Sequence, residues 1–129
     1  MEDTLILVDT SILIDYYRKT EKANSVWISL VRKGYVFAIS AVTKYEIYSG
    51  ATIEQLDFWN NVFEVIDILP FNETAVNSAI EINKKLKKKR KQIDIADLFI
   101  AATAMSNNLP IATLNKKHFD RIEGLILIE

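Results

Sequence analysis

The sequence predicts an α/β protein, a three-layer α/β/α sandwich built on a mostly parallel central sheet. Three observations carry that expectation. Residues 5–8 (Leu-Ile-Leu-Val) form an apolar run without polar alternation, which suits a strand covered on both faces. Strand-like runs then alternate with stretches of helical periodicity. Only three Gly and two Pro occur in 129 residues, so connections are short. Half of the chain is apolar, enough for one domain with its own core, spanning 1–129.

The elements follow in order. The first strand stops at Asp9. Residues 12–19 and 23–33 read as helices, the second ended by Gly34. Residues 35–39 are aromatic and β-branched, which suits a strand. A helix over 41–49 is capped by Ser40 and stopped by Gly50. Residues 53–63 are helical, and 65–69 form a short strand halted by Pro70. The long helix 72–89 shows its apolar side in Ala75, Val76, Ala79, Ile80, Ile82, Asn83 and Leu86. An Ala-rich helix, 95–107, is capped by Asp94. A strand over 109–113, a helical turn over 116–120 and a last strand over 125–128 complete the chain.

Composition removes several functions. There is no cysteine, hence no disulfide framework, thiol nucleophile or thiolate metal site. The start, Met1-Glu2-Asp3-Thr4, lacks the basic residues of a secretory leader, and no apolar run approaches a membrane span. A cytoplasmic protein without membrane contact is expected. The net charge of −1 hides a segregation. Seven of the eight residues in 84–91 are basic, which leaves nine basic against seventeen acidic residues elsewhere. Lys84, Lys85, Lys87, Lys88, Lys89, Arg90 and Lys91 exceed what a helix terminus needs, and they suit a polyanion such as RNA.

Three acids stand where a core wants none. Asp9 ends the first buried strand. Glu46 lies over Val42 on a helix whose apolar side reads Val42, Tyr45 and Ser49. Asp97 opens Leu-Phe-Ile-Ala-Ala, the most apolar helix. Each has a plain structural reading. Asp9, Thr10 or Ser11 caps a helix, Thr43 and Glu46 match a capping box, and Asp97 is a first-turn acid. Together these readings weaken, because carboxylates partly buried in one place repel each other and lose hydration unless a cation neutralises them. Oxygen donors select Mg²⁺, with Mn²⁺ as the alternative. Such an ion suits phosphodiester hydrolysis, since it withdraws charge from the phosphoryl group and activates water near neutral pH.

These residues occur in a recognisable order: Asp9-Thr10-Ser11 after the first strand, Glu46 in the helix after Ser40, Asp97 in Asp-Leu-Phe-Ile-Ala-Ala-Thr-Ala, and Thr113-Leu-Asn115-Lys-Lys-His-Phe119. The pattern resembles the PIN domain in its VapC toxin branch, over essentially the whole chain. The resemblance implies a Mg²⁺-dependent endoribonuclease of a toxin–antitoxin pair. Asp9 and Asp97 would be its principal metal ligands. Glu46 would complete the acidic cluster through an intervening water. Thr10 would position that water or Asp9, and Thr113 would bond within the cluster. Asn115 falls where many members carry a fourth acid, so a second ion is less supported. It also implies a VapB-type antitoxin, a homodimer, and a structured RNA loop as substrate.

His118, the only histidine, reads as a surface residue of a helical turn. Tyr16, Tyr17, Tyr45, Tyr48 and Trp59 read mainly as core or interface. Two other enzyme classes fit less well. Val8-Asp9-Thr10-Ser11 resembles the aspartic-protease triplet, but helices follow at once and the second half lacks a Gly-rich signature. A phosphatase using Asp9 would want an acid at position 11, where Ser11 stands. Within the fold, the alternatives are an RNA-processing nuclease and a degenerate module that only binds RNA or protein.

Overall fold

A computed structural model describes residues 4–129 of the chain. Residues 1–3, whose lack of basic character argued against a leader, lie outside them. The centre is a four-stranded, all-parallel sheet: β1 (Thr4–Val8), β2 (Tyr35–Ser40), β3 (Asp67–Leu69) and β4 (Ile111–Ala112), in the order β3-β2-β1-β4. β1 pairs with β2 from Thr4↔Tyr35 to Leu7↔Ala38, and with β4 at Leu7↔Ile111 and Val8↔Ala112.

The continuous apolar run of β1 has a direct cause. Ile6, Leu7 and Val8 are fully buried. Successive side chains of a strand face opposite ways. Ile6 and Val8 join one core with Ile12, Leu13, Trp27 and Trp59. Leu7 joins the other, with Ala79, Leu86, Ile100 and Phe119. Two cores, one on each face of the sheet, make the three-layer sandwich. Burying each such side chain stabilises by about 1.5–3 kcal/mol.

Helices α1 (Thr10–Arg18), α2 (Val26–Arg32), α3 (Ala41–Gly50) and α4 (Leu56–Phe63) precede β3. Helices α5 (Glu73–Lys88), α6 (Ile95–Ser106) and α7 (Lys116–Phe119) follow it. Caps set most starts: Asp9, Ser25, Ser40 and Asn72 each accept a first-turn N–H through the side chain. Gly34, at φ +89°, ends α2 as expected. Gly50 does not end α3 in this way. It is the helix's last residue, and Ala51 is the cap. Asp94 holds the cap position of α6 only through its backbone, its carbonyl accepting from Leu98 N at 2.9 Å, and its side chain caps nothing.

Two helix faces and the last strand differ from the sequence reading. α3 buries Thr43 and Ile47, whereas Tyr45 is 72% exposed and Ser49 is exposed. On α5, Ala75, Ala79, Ile82 and Leu86 are buried, but Val76 and Ile80 reach the surface. The last strand reduces to a single bridge, Ile111↔Leu127. β4 is two residues long, and the N–H and C=O of Ile111 are consumed by Ile126 and Ile128 at 2.9 Å each, so pairing extends no further. Among the described residues, no helix is long and apolar enough to cross a membrane.

Parallel strands bring all their carboxyl ends to one edge of the sheet. Asp9, Ser40 and Thr113 stand there, at the ends of β1, β2 and β4. α5 and α6 form an antiparallel hairpin whose turn carries the last basic residues to the end of α6 where Asp97 lies.

Candidate active site

Asp9 is the anchor. It is 2% exposed. As cap of α1, its Oδ1 accepts from Ile12 N at 3.4 Å and also from the Ser11 hydroxyl. Its Oδ2 accepts from Thr113 Oγ1 at 2.6 Å. A second tier holds these hydroxyls in place: Leu114 N donates to Ser11 Oγ at 3.0 Å, and Asn115 N to Thr113 Oγ1 at 2.9 Å. The carboxylate is thus locked in rotation by groups from α1 and the β4–α7 turn.

Its electrostatics are unfavourable for a bare anion. Burial pushes the Asp9 carboxyl above the ordinary carboxylate value. The hydrogen bonds from Ser11, Thr113 and Ile12 act against that, and the charge of Asp97 adds to it. Among the described residues, no cationic side chain forms an ion pair with Asp9.

Asp97 is set by the first turn of α6 and its side chain is 18% exposed. Its Oδ2 lies 3.1 Å from His118 Nδ1. This corrects the reading of His118 as a plain surface residue. The turn of α7 buries Phe119 completely and brings the adjacent imidazole, 43% exposed, onto the acid. No local pattern announces a contact made across 21 positions.

Glu46 is half-buried on α3. Its Oε1 accepts from Thr10 Oγ1 at 2.6 Å, and Thr10 Oγ1 lies 3.1 Å from the buried Thr43 Oγ1. Thr10 therefore holds Glu46 rather than Asp9, and Ser11 holds Asp9. Neither Ser11 nor Thr43 was singled out as a member of the cluster from sequence. Thr43, whose capping-box match with Glu46 yields to Ser40 as the cap, is turned into the site. Thr113 bonds inside the cluster as expected. The side chain of Asn115 is exposed and makes no hydrogen bond among the described residues, and only its backbone serves the site.

The basic tract is exposed at every cationic position, with Leu86 buried as its anchor. α5 ends in a double-bonded cap: Arg90 N donates to Lys87 O at 3.1 Å and Lys91 N to Leu86 O at 3.0 Å. Arg90 takes the left-handed position at φ +55°, where Gly is the usual occupant. Arg121 Nη1 reaches Gln92 O at 3.1 Å, which ties the hairpin turn to the segment after α7 and so to the His118–Asp97 pair. Tyr16, Tyr17 and Trp59 pack as core aromatics, while Tyr48 bonds Asn60 at the surface.

Among the described residues, no three acid, histidine or cysteine side chains converge as a ready-made metal cage. The donor set nonetheless fits a hard divalent ion. Its ligands are carboxylate oxygens, and a buried acid stands without a countercharge. Mg²⁺ is ordinarily held by one or two carboxylates with several waters and the substrate's phosphate, not by a closed protein cage.

Comparison with known proteins agrees with the architecture. The profile of the PIN domain matches residues 6–125. The chain is 38% identical over 123 residues to Ribonuclease VapC1 of Methanocaldococcus jannaschii, covering 95% of this chain and 84% of that protein. It is 32% identical over 122 residues to Ribonuclease VapC10 of Mycobacterium tuberculosis, covering 94% and 90%. Among solved structures, the VapBC-1 complex of nontypeable Haemophilus influenzae superposes with a TM-score of 0.83 at 25% identity, over 98% of both chains. The VapBC2 complex of Rickettsia felis, bound to a DNA fragment from its promoter, gives 0.78 at 25% identity, over 97% and 98%. The chain belongs to the PIN-domain family, and its relatives there are the VapC ribonucleases.

Proposed function

We propose that this protein is the toxin of a VapBC-type pair, a divalent-metal-dependent endoribonuclease acting in the cytoplasm and restrained by a VapB-type antitoxin. The single observation that carries the reading is Asp9: a buried carboxylate, fixed by three donors, facing a second acid and lacking a cation. The relatives' names and the toxin–antitoxin complexes of similar fold support the activity and the partner.

Asp9 and Asp97 would hold the ion, Mg²⁺ or Mn²⁺, with Glu46 completing the acidic surface. Bound there, the ion supplies Lewis acidity toward the phosphoryl oxygens and acidifies water. The chain's own residues do the rest. Ser11 and Thr113 prevent Asp9 from rotating. Thr10 occupies Oε1 of Glu46, which leaves Oε2 to accept a proton from water. The cations of 84–91 neutralise phosphates along the RNA and place the strand over the acids. The substrate is a structured RNA loop of the tRNA or ribosomal kind, and the active form is a homodimer.

A second reading has its own observation. The absence of a converged cage among the described residues, with a neutral Asn115, suits a degenerate module that binds RNA or protein without cutting. Cleavage of total cellular RNA by the purified protein with Mg²⁺ or Mn²⁺, beside EDTA and Asp97→Ala controls, separates the two. Discrete fragments that vanish in both controls establish the nuclease. A folded, inhibitor-free protein that cuts nothing with either ion establishes the module.

A further inference from the structure

The contact between His118 and Asp97 is not required by a site made only of oxygen donors. Nδ1 of His118 and Oδ2 of Asp97 stand 3.1 Å apart. Two neighbouring ligands of one octahedral ion, with bonds of about 2.1–2.2 Å, are separated by about 3.0–3.1 Å. The same spacing serves a hydrogen bond when Nδ1 carries the proton, and two donors of one ion when it does not. α7 fixes it, because Phe119 is fully buried beside His118 and Asn115 O accepts from His118 N at 3.0 Å. The imidazole is 43% exposed, so it reaches solvent and an arriving ion.

We propose that His118 is a nitrogen ligand that joins Asp97 at the ion site and turns its preference from Mg²⁺ toward a first-row transition ion, Mn²⁺ being the hardest of them. The inference rests on the reading of Asp9 and Asp97 as ion-binding carboxylates. Its physical basis is the difference between donors. Mg²⁺ favours oxygen and gives up water reluctantly, whereas imidazole is a good donor to first-row ions. A site of oxygen atoms alone leaves Mg²⁺ and Mn²⁺ close in affinity. One imidazole separates them. The neutral Asn115 points the same way, since its exposed side chain adds no carboxylate to restore the preference for Mg²⁺.

The chain has one histidine, which makes the test clean. Tag-free protein is loaded with Mn²⁺ alone and examined by electron spin-echo envelope modulation, where a directly bonded imidazole nitrogen leaves its own modulation. Mn²⁺ and Mg²⁺ affinities are measured by titration on the wild type, His118→Ala and His118→Gln. The expected result is a nitrogen signal in the wild type that both variants lack, with Mn²⁺ affinity falling about tenfold and Mg²⁺ affinity nearly unchanged. The wild-type spectrum decides even where a variant folds poorly. Mn²⁺ bound without a coordinated nitrogen, or an unchanged ratio of affinities in both variants, overturns the inference. In that case RNA cleavage that depends on Mg²⁺ leaves the nuclease reading intact. A wild type that binds no Mn²⁺ at millimolar concentration overturns both.

Discussion

Thr113 Oγ1 donates to Asp9 Oδ2 over 2.6 Å and joins residues 104 positions apart. The bond ties the end of β4 to the end of β1 at the point where the sheet meets the acids. It makes the orientation of Asp9 a property of the whole sheet rather than of the local turn.

Removing that hydroxyl tests the point. Thr113→Val keeps the shape but leaves Asp9 Oδ2 and Asn115 N without their partner. It is expected to lower the RNA cleavage rate by about 10–100-fold and stability by about 1–3 kcal/mol. Thr113→Ser should recover most of both, as read by initial rates and urea unfolding.

Burial makes Asp9 costly in the metal-free fold. Its folded carboxyl lies above its ordinary value of 3.8, so its contribution to stability is complete below that value. The contribution is lost as pH rises through the folded value. Asp9→Asn, which keeps the cap, is therefore expected to be more stable than wild type at pH near 7 in EDTA, by a few degrees in Tm. The difference should close as pH falls to 3.8 and below. Added Mg²⁺ or Mn²⁺ should stabilise the wild type at neutral pH and leave Asp9→Asn unmoved. A wild type more stable than the variant in EDTA at neutral pH would contradict this account.

Lys22 holds the far end of α1. Its Nζ donates to the carbonyls of Tyr16, Tyr17 and Lys19 at 2.8, 2.7 and 2.8 Å, over the rings of Tyr16, Tyr17 and Phe58. Lys22→Met removes the cation that satisfies three orphan carbonyls at the negative end of the helix. A loss of about 1–3 kcal/mol in unfolding free energy is expected, with cleavage at 25 °C unchanged.

The basic tract should separate binding from stability. Lys88→Ser with Lys91→Ser is expected to weaken RNA binding and lower the slope of log affinity against log salt by about 0.7 per lost phosphate contact. Leu86→Ala, in the same tract but buried, should instead cost about 2–5 kcal/mol of stability. Arg90→Gly relieves a left-handed backbone at φ +55°. It should gain about 0.5–1 kcal/mol while losing RNA affinity.

Much of the fold was legible because its causes are local. The unbroken apolar run of β1 announces a strand buried on both faces, and Ser40 and Gly34 mark helix ends by chemistry that acts within a few residues. The face of α3 was misread for a related reason. Its apolar residues run nearly all round, so periodicity does not single out Thr43 and Ile47 against Val42 and Tyr45. The last strand shortened because β4 offers one residue for it to pair with, which no reading of residues 125–128 reveals.

The same division runs through the site. By itself the sequence determined that Asp9 and Asp97 stand at the ends of apolar elements and Glu46 on the apolar side of a helix, where a carboxylate needs a partner. Only the tertiary structure decided who the partners are: Ser11 and Thr113 for Asp9, Thr10 for Glu46, His118 for Asp97. Hydroxyls are common along the chain, and short side chains act only within hydrogen-bond reach. Which of them comes within reach of an acid is set by the parallel register of β1 with β4 and by the burial of Phe119.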